Sequence, residues 1–508
     1  MDQQLALEIM HSGEHVFLTG PAGSGKTHVL NQFIRQAKHD GKQVSVSATT
    51  GLAATHLGGS TIHAWSGIGI HDELPANFAE HITKGRRDII ENTDVLIIDE
   101  ISMLHDYRLD MVDRVARVVR DDDRPFGGIQ VIMCGDFFQL PPVNRRDAKD
   151  GGFVVNSQAW KELDPVVCYL AEQHRQDDEV LLEILSALRQ GDIRQRHATA
   201  LLDRISDEFD DEITQLHTVN IDVDRINDEK LAQLEGDEHT YQAVTTGKEN
   251  YVATLSKACI APQILRLKKG ALVMAIKNSP ERKYVNGSIG VVTDFDSLTK
   301  FPIVTFHSGK VVHMNLDTWE LRDGDTKRAS ISQIPLKLAY AITVHKSQGM
   351  TLDAARIDLR KAFVEGMGYV ALSRVKRLDG LSLIGINRMA LRVSEEALRI
   401  DTHLRKRAAD DHARFEKLRA KATKRAKQEL ENRKKKNKKS NSWAEKIESM
   451  RKEHPNAYRP WTHEQDERLK LGFKNGTSID ELSKKLGRHK RSIVLRLQKH
   501  FGEDTVQL

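Results

Sequence analysis

The sequence predicts an α/β architecture on parallel sheets, followed by a small all-α module at the C-terminus. Three observations carry this. An apolar stretch at residues 15–19 runs into Gly20-Pro21-Ala22-Gly23-Ser24-Gly25-Lys26-Thr27 and then a helical pattern at Val29, Leu30, Phe33 and Ile34. Near-continuous apolar runs at 95–98 and 130–134 end in Asp99-Glu100 and Gly135-Asp136, as strands buried on both faces do. Beyond about residue 395 such runs stop, and charged, helix-favouring sequence takes over.

A strand, a glycine-rich loop and a helix in that order form a phosphate cradle. Gly20, Gly23 and Gly25 let backbone N–H groups turn inward, Ser24 adds a hydroxyl, and the helix N-terminus adds its positive end. Lys26 is placed for the β- and γ-phosphates and Thr27 for Mg²⁺. After an alternating strand at 44–48, Thr50 and Gly51 stand at a loop-to-helix junction that suits phosphodiester contacts. His63 and Trp65 have flat side chains that stack on unpaired bases, although Trp65 fits a core position equally well. Asp99 followed by Glu100 suits a Mg²⁺ ligand and a carboxylate that activates water. Residues 107–120 carry one apolar stripe at helical spacing, a covering helix. Gln139, just past the third strand, either senses a γ-phosphate or bonds local backbone.

The second half presents Arg175 in His174-Arg175-Gln176 and Arg374 in Ala371-Leu372-Ser373-Arg374. An arginine reaching a phosphate from a neighbouring domain stabilises developing charge. Thr343-Val344-His345-Lys346-Ser347-Gln348-Gly349 clusters hydroxyls, an imidazole and an ammonium beside a glycine, a set suited to phosphodiesters. Asn220 opens another strand-to-helix junction. Turns at Asn286-Gly287 and Ser308-Gly309 between short apolar runs predict hairpins of a small inserted barrel.

The chain has 508 residues, 39% hydrophobic and 29% charged, with a net charge of +5, so several domains are expected. It offers no bilayer-length apolar run and no signal-peptide pattern. Three scattered cysteines without metal spacing point to a reducing cytoplasm, nucleoid-associated in a bacterium. The charge is uneven: residues 417–439 are heavily basic, whereas 121–123 and 207–212 are acidic. A lysine-rich linker at 432–442 reads as solvated chain with affinity for polyanions. Residues 461–501 carry three helical patterns capped by Thr462 and Ser478, with Arg488 and Arg491 on or near the third. That arrangement resembles a helix-turn-helix unit whose last helix enters a DNA groove, with protein docking the alternative.

These motifs occur in an order that resembles the Pif family of superfamily 1 DNA helicases, relatives of the RecD and Dda enzymes. The matching stretches are residues 20–27, 97–103, 125–128, 135–143, 174–176, 343–349 and 371–374, so the resemblance covers about residues 1–395. It implies two RecA-like domains, 1–170 and 171–395, with ATP and Mg²⁺ between them. It also implies a wedge insert at about 67–88 and a barrel insert at about 265–335. A charged helix and basic linker (396–455) and the helix-turn-helix-like module (456–508) follow. Lys26, Thr27, Asp99, Glu100, Gln139, Arg175 and Arg374 match catalytic positions, with Thr27 and Asp99 on the metal. Gln4 or its neighbour Gln3 matches an adenine-reading glutamine, and Gly349 a nucleotide contact. Thr50, Gly51, His63, His345, Lys346 and Ser347 match strand-contacting positions, and Trp65 and Asn220 are read from their own positions as facing the same channel. The implied activity is ATP-driven 5′-to-3′ movement on single-stranded DNA with unwinding of duplex, by a monomeric motor. A DNA-bound regulator that uses ATP only as a switch is the competing class. A small-molecule kinase would leave the second half unexplained.

Overall fold

The strand-loop-helix reading of the first thirty residues holds in the computed structural model. It describes residues 1–69, 71–142, 144, 149–206, 213–259, 261–279, 283–284, 286–323, 326–427, 450–457 and 461–501. The lysine-rich linker, the acidic run 207–212 and Val143 lie outside the described residues. Residues 1–419 form one unit and residues 420–508 another.

Six parallel strands organise the first half: β1 Val16–Thr19, β2 Val44–Ala48, β3 Ser60–Thr61, β4 Val95–Asp99, β5 Gln130–Cys134 and β6 Val166–Tyr169. Their order is β3-β2-β4-β5-β1-β6. Every residue of β1, β4, β5 and β6 is buried, so these strands are apolar without alternation. Helices cover both faces. Lys26–His39 packs Val29, Leu30, Phe33, Ile34 and Ala37 on one side. Asp106–Arg120 packs Leu109, Val112, Val115, Ala116 and Val119 on the other. Because β4, β5 and β1 are neighbours, their carboxyl ends bring Asp99-Glu100, the Asp136–Gln139 turn and the glycine-rich loop together.

The second half has a smaller parallel sheet of Ala341–Thr343, Gln215–His217, Ala355–Leu359 and Leu381–Ile386, in that spatial order. Its hydrophobic core is continuous with that of the first half: Leu216, Ile342, Ile357, Tyr369 and Leu383 join the cluster that holds Phe17 and Ile98. Both predicted hairpins form: Leu272–Ala275 pairs with Ile289–Phe295, and Pro302–Phe306 with Val311–His313. The insert is wider than the expected 265–335. Its strands run from His239 to Leu338 and make three antiparallel sheets of two, five and three strands rather than one barrel. Segments 239–242 and 244–247 are polar and largely exposed, which hides them from an apolar-run search. In the expected wedge region, Phe78–His81 and Lys84–Asn92 are helical.

The boundary near residue 395 needs correction. Glu395–Phe415 is a 21-residue helix that packs along β6 as part of the first unit. Ala397, Leu404, Ala408, Asp411 and Phe415 form its buried stripe. Asp411 accepts the Val167 N–H at 2.8 Å, capping a donor on the edge strand. Phe415 enters the core that underlies the glycine-rich loop's helix. The charged residues on the exposed face mask this stripe in the sequence.

Phe415→Ala removes a side chain that is 5% exposed. We expect a loss of about 3–5 kcal/mol in the unfolding of the 1–419 unit, read as a lowered denaturant midpoint. A midpoint equal to that of the parent would place this helix outside the unit.

Candidate active site

The glycine-rich loop takes the shape its glycines allow. Gly23 and Gly25 have φ of +83° and +84°, a conformation L side chains rarely adopt. A Cβ at Gly23 would lie 2.6 Å from Arg175 Cβ, and one at Gly25 would collide with the Gln3 amide. Lys26 Nζ donates to Gly20 O (2.8 Å) and Pro21 O (3.0 Å), so the ammonium hangs over the cradle. Ser24 Oγ is buried with no partner among the described residues. An unmatched hydroxyl beside an ammonium and a ring of amides fits a phosphate group. Gln3 Nε2 donates to Ser24 O at 3.2 Å, whereas Gln4 is exposed. The reading of Gln4 is therefore corrected to Gln3: the helix Gln3–His11 turns the earlier residue toward the loop.

A cleft of about 750 Å³ opens in front of the loop. The first half lines it with Lys26, Thr27, Thr50, Asp99, Glu100 and Gln139. His345, Lys346, Gln348, Gly349 and Arg374 line it from the second half, and Arg175 from the connection between them. Asp99 is 8% exposed, and burial raises its carboxyl pKa despite Lys26 nearby. Glu100, with the uncommon φ of +52°, is pushed up to about 7 by burial and by the adjacent Asp99. Such a carboxylate is a stronger base than a solvated one. The buried Asp99 carboxyl and the Thr27 hydroxyl, both on the first half's side of the cleft, make a donor pair that fits a divalent cation.

Gln348 was quoted in the sequence only as part of a motif, yet it joins the two halves. Its Nε2 donates to Glu100 Oε2 (2.9 Å) and to Gln139 Oε1 (3.0 Å). Arg374 is 1% exposed, and its guanidinium donates to Val370 O, Ser347 O, Met350 O and Ser373 Oγ. Burial and the nearby Arg175 lower its pKa to about 9. Arg175 donates to Ser373 O at 3.1 Å, and Gln176 to Ser373 O and Val375 O. The two arginines thus both meet Ser373 and line the cleft.

Behind the cleft lies a buried network that sequence reading missed. Arg189, on helix Glu179–Gln190, donates to both carboxylate oxygens of Asp136 (2.7 and 2.6 Å). It also donates to the hydroxyls of Tyr369 (3.2 Å) and Tyr169 (3.0 Å), and lies over the Phe138 ring. Burial alone would lower the Arg189 pKa, but Asp136, Tyr369, Tyr169 and Asp401 together more than offset this and hold the charge. The Tyr369 hydroxyl donates to Asp136 and accepts the Ala22 N–H at 2.9 Å. One tyrosine of the second half thus fixes the backbone of the glycine-rich loop.

The strand-contact candidates divide. Thr50, which accepts from Ala53 N, stands at the cleft, and Gly51 starts the next helix. His63 is half-buried, its pKa lowered to about 4 by burial and by Arg108. Trp65 is 5% exposed within the main core, so the base-stacking reading is corrected to the core reading. Ser347 is fully buried and donates to Val344 O, which removes its hydroxyl from any strand surface. His345 and exposed Lys346 stay at the cleft rim. Asn220 is the first residue of helix Asn220–Gln233. Lys337, unremarked in the sequence, lines a groove of about 330 Å³ with Lys346. Burial and Lys346 lower its pKa to about 8, a like-charge meeting that a bound anion would relieve. In the second unit Arg488 is 2% exposed, lies over the Trp461 ring at 4.2 Å and donates to Gln465. It is a structural cation, and only Arg491 of the two predicted groove readers is exposed.

Comparison with known proteins agrees with this geometry. The PIF1-like helicase family profile matches residues 2–196, and that of the DNA helicase Pif1 2B domain matches residues 250–295. An ATP-dependent DNA helicase Pif1 of Psychrobacter sp. is 39% identical over 479 residues, covering 82% of this chain and 73% of that protein. The Bacteroides sp. Pif1 structure with ADP-AlF4 aligns with a TM-score of 0.70 at 30% identity, covering 80% of this chain and 96% of that one. A Bacteroides Pif1 structure with ADP-AlF3 and ssDNA aligns at 0.57 and 32%, covering 79% and 96%.

Arg189→Met leaves the Asp136 charge buried without its partner. The expected cost is about 3–5 kcal/mol, with part recovered in the Asp136→Asn/Arg189→Met double variant. Chemical denaturation of both variants measures this. A single-variant loss under about 1 kcal/mol would mean the pair is not closed in solution.

Proposed function

We propose, from the premise that this chain belongs to the PIF1-like helicase family, that its two halves squeeze one ATP and thereby move single-stranded DNA across both of them. The protein is an ATP-dependent DNA helicase. The observation that carries the mechanism is the Gln348 amide, which reaches from the second half onto both Glu100 and Gln139.

In this reading the loop amides and Lys26 bind the β- and γ-phosphates. Thr27 and Asp99 would hold a Mg²⁺, which supplies charge neutralisation at the phosphate oxygens. Glu100 takes the proton of the attacking water. Gln348 holds Glu100 and Gln139 in place, so the base is complete only when the second half is docked. Arg175 and Arg374 stabilise charge developing on the transferred phosphoryl group. Arg374 is preorganised by four acceptors, so little reorganisation is needed at reaction. Gln3 is positioned to read the base. Thr50, Gly51, His63, His345 and Lys346 contact the strand, with Lys337 added beside Lys346. Movement is 5′ to 3′, and the motor acts as a monomer. No helix among the described residues is long and apolar enough to cross a membrane. A nucleotide switch without turnover needs neither the base nor second-half donors aimed at it.

Lys26→Ala should lower ATP turnover by at least about 100-fold while single-strand affinity stays within a few fold. Arg374→Ala should reduce kcat about 1000-fold with ATP affinity little changed, as removal of a charge-stabilising arginine does. Turnover with and without oligo(dT), then strand separation on 5′- and 3′-tailed duplexes, tests the whole reading. Turnover indifferent to the oligonucleotide, with both duplexes intact, would refute it.

A further inference from the structure

The C-terminal unit has a surface that the motor does not use. Three helices, His463–Lys474, Ile479–Leu486 and Lys490–Phe501, surround a core of Leu469, Leu482, Leu486, Ile493, Val494 and Leu497. Gly487, at φ +59°, and the two residues after it make the tight turn into the last helix. Ile493, Val494 and Leu497 face inward, whereas Arg491, Leu495 and Lys499 repeat every four residues on the outward face, all exposed.

The charge on the last helix of this unit is of one sign. Residues 482–501 contain seven Lys and Arg and no Asp or Glu. Acidic partners elsewhere engage the cations that brace the fold: Asp466 binds Arg496 (2.8 and 2.5 Å), and Asp480 binds Lys490 (2.6 Å). Arg488 is spent on Gln465 and Trp461. Arg491 and Lys499 therefore stay exposed on either side of Leu495, which is 59% exposed, and Lys484 and Lys485 are exposed on the preceding helix. Leu495 lines a groove of about 450 Å³ with Trp461, Arg491, Arg496 and Lys499; protein interfaces are depleted in lysine, so this cationic lining disfavours a protein partner. A duplex offers the complementary features. Its major groove admits one helix, its phosphates flank that helix, and thymine methyls meet an aliphatic side chain.

We propose that this unit is a second DNA site, binding B-form duplex with helix Lys490–Phe501 in the major groove. Arg491 and Leu495 face base edges. Lys499, Lys484 and Lys485 contact phosphates. The motor would then hold one strand while the tail stays on the duplex.

The test uses the full chain without nucleotide, a blunt 24-base-pair duplex and oligo(dT), with binding read by fluorescence anisotropy across a salt series. Arg491→Glu/Lys499→Glu should weaken duplex binding at least about tenfold and reduce the salt slope by about one, for the lost Lys499 phosphate contact, leaving oligo(dT) affinity and oligo(dT)-stimulated ATP turnover unchanged. Leu495→Asp, another surface change, should lose duplex binding and the protection of guanine N7 from methylation, with helicity by circular dichroism retained. Duplex binding equal to the parent in both variants would overturn the proposal and assign this face to another partner. An equal loss on oligo(dT) would overturn it too, reducing the tail to general attraction for polyanions.

Discussion

The interaction on which the rest depends is the buried contact of Arg189 with Asp136 and Tyr369. It is a charge pair sealed from water, so each member is costly without the other. Asp136 sits at the carboxyl end of β5, Arg189 on the connecting helix and Tyr369 on a helix of the second half. The Tyr369 hydroxyl then fixes Ala22 N–H inside the phosphate loop. The loop that meets the nucleotide thus cannot change shape without the second half registering it. Such a joint is bistable rather than elastic, because a buried ion pair is either matched or broken.

Around this joint the cleft is assembled from parts that are incomplete alone. Glu100 has a raised pKa suited to proton transfer, but its orientation comes from Gln348 in the other half. Arg374 is held by backbone carbonyls of its own half and meets Arg175 from the connection. In the proposed mechanism nucleotide turnover and domain docking are therefore one event. That coupling is what a motor requires and a simple phosphate binder does not.

Much of this is legible in the sequence where chemistry is local. The phosphate loop reads clearly because positive φ demands glycine and the loop must sit between a strand and a helix. Asp99-Glu100 and Gln139 read well because strand ends in parallel sheets face the ligand. What the sequence hides is long-range or ambiguous in type. Asp136, Arg189 and Tyr369 are 53 and 180 positions apart, and no local pattern joins them. Trp65 and Arg488 have side chains that suit either a nucleic acid or a core, and packing decided both. Gln3 and Gln4 differ by one helical step, which only the path of the first helix resolves. The helix Glu395–Phe415 reads as a charged helix outside the motor because its five buried residues are dispersed among charges.

The central claim is that nucleotide state and strand grip are linked through the Tyr369 hydroxyl. The most direct measurement is oligo(dT) affinity with no nucleotide, with ADP and with a non-hydrolysable ATP analogue, in the parent and in Tyr369→Phe. The account predicts that the parent's affinity differs by at least about fivefold between nucleotide states, and that the difference shrinks in the variant. The same affinity in every state of the parent, or an undiminished difference in Tyr369→Phe, would contradict it.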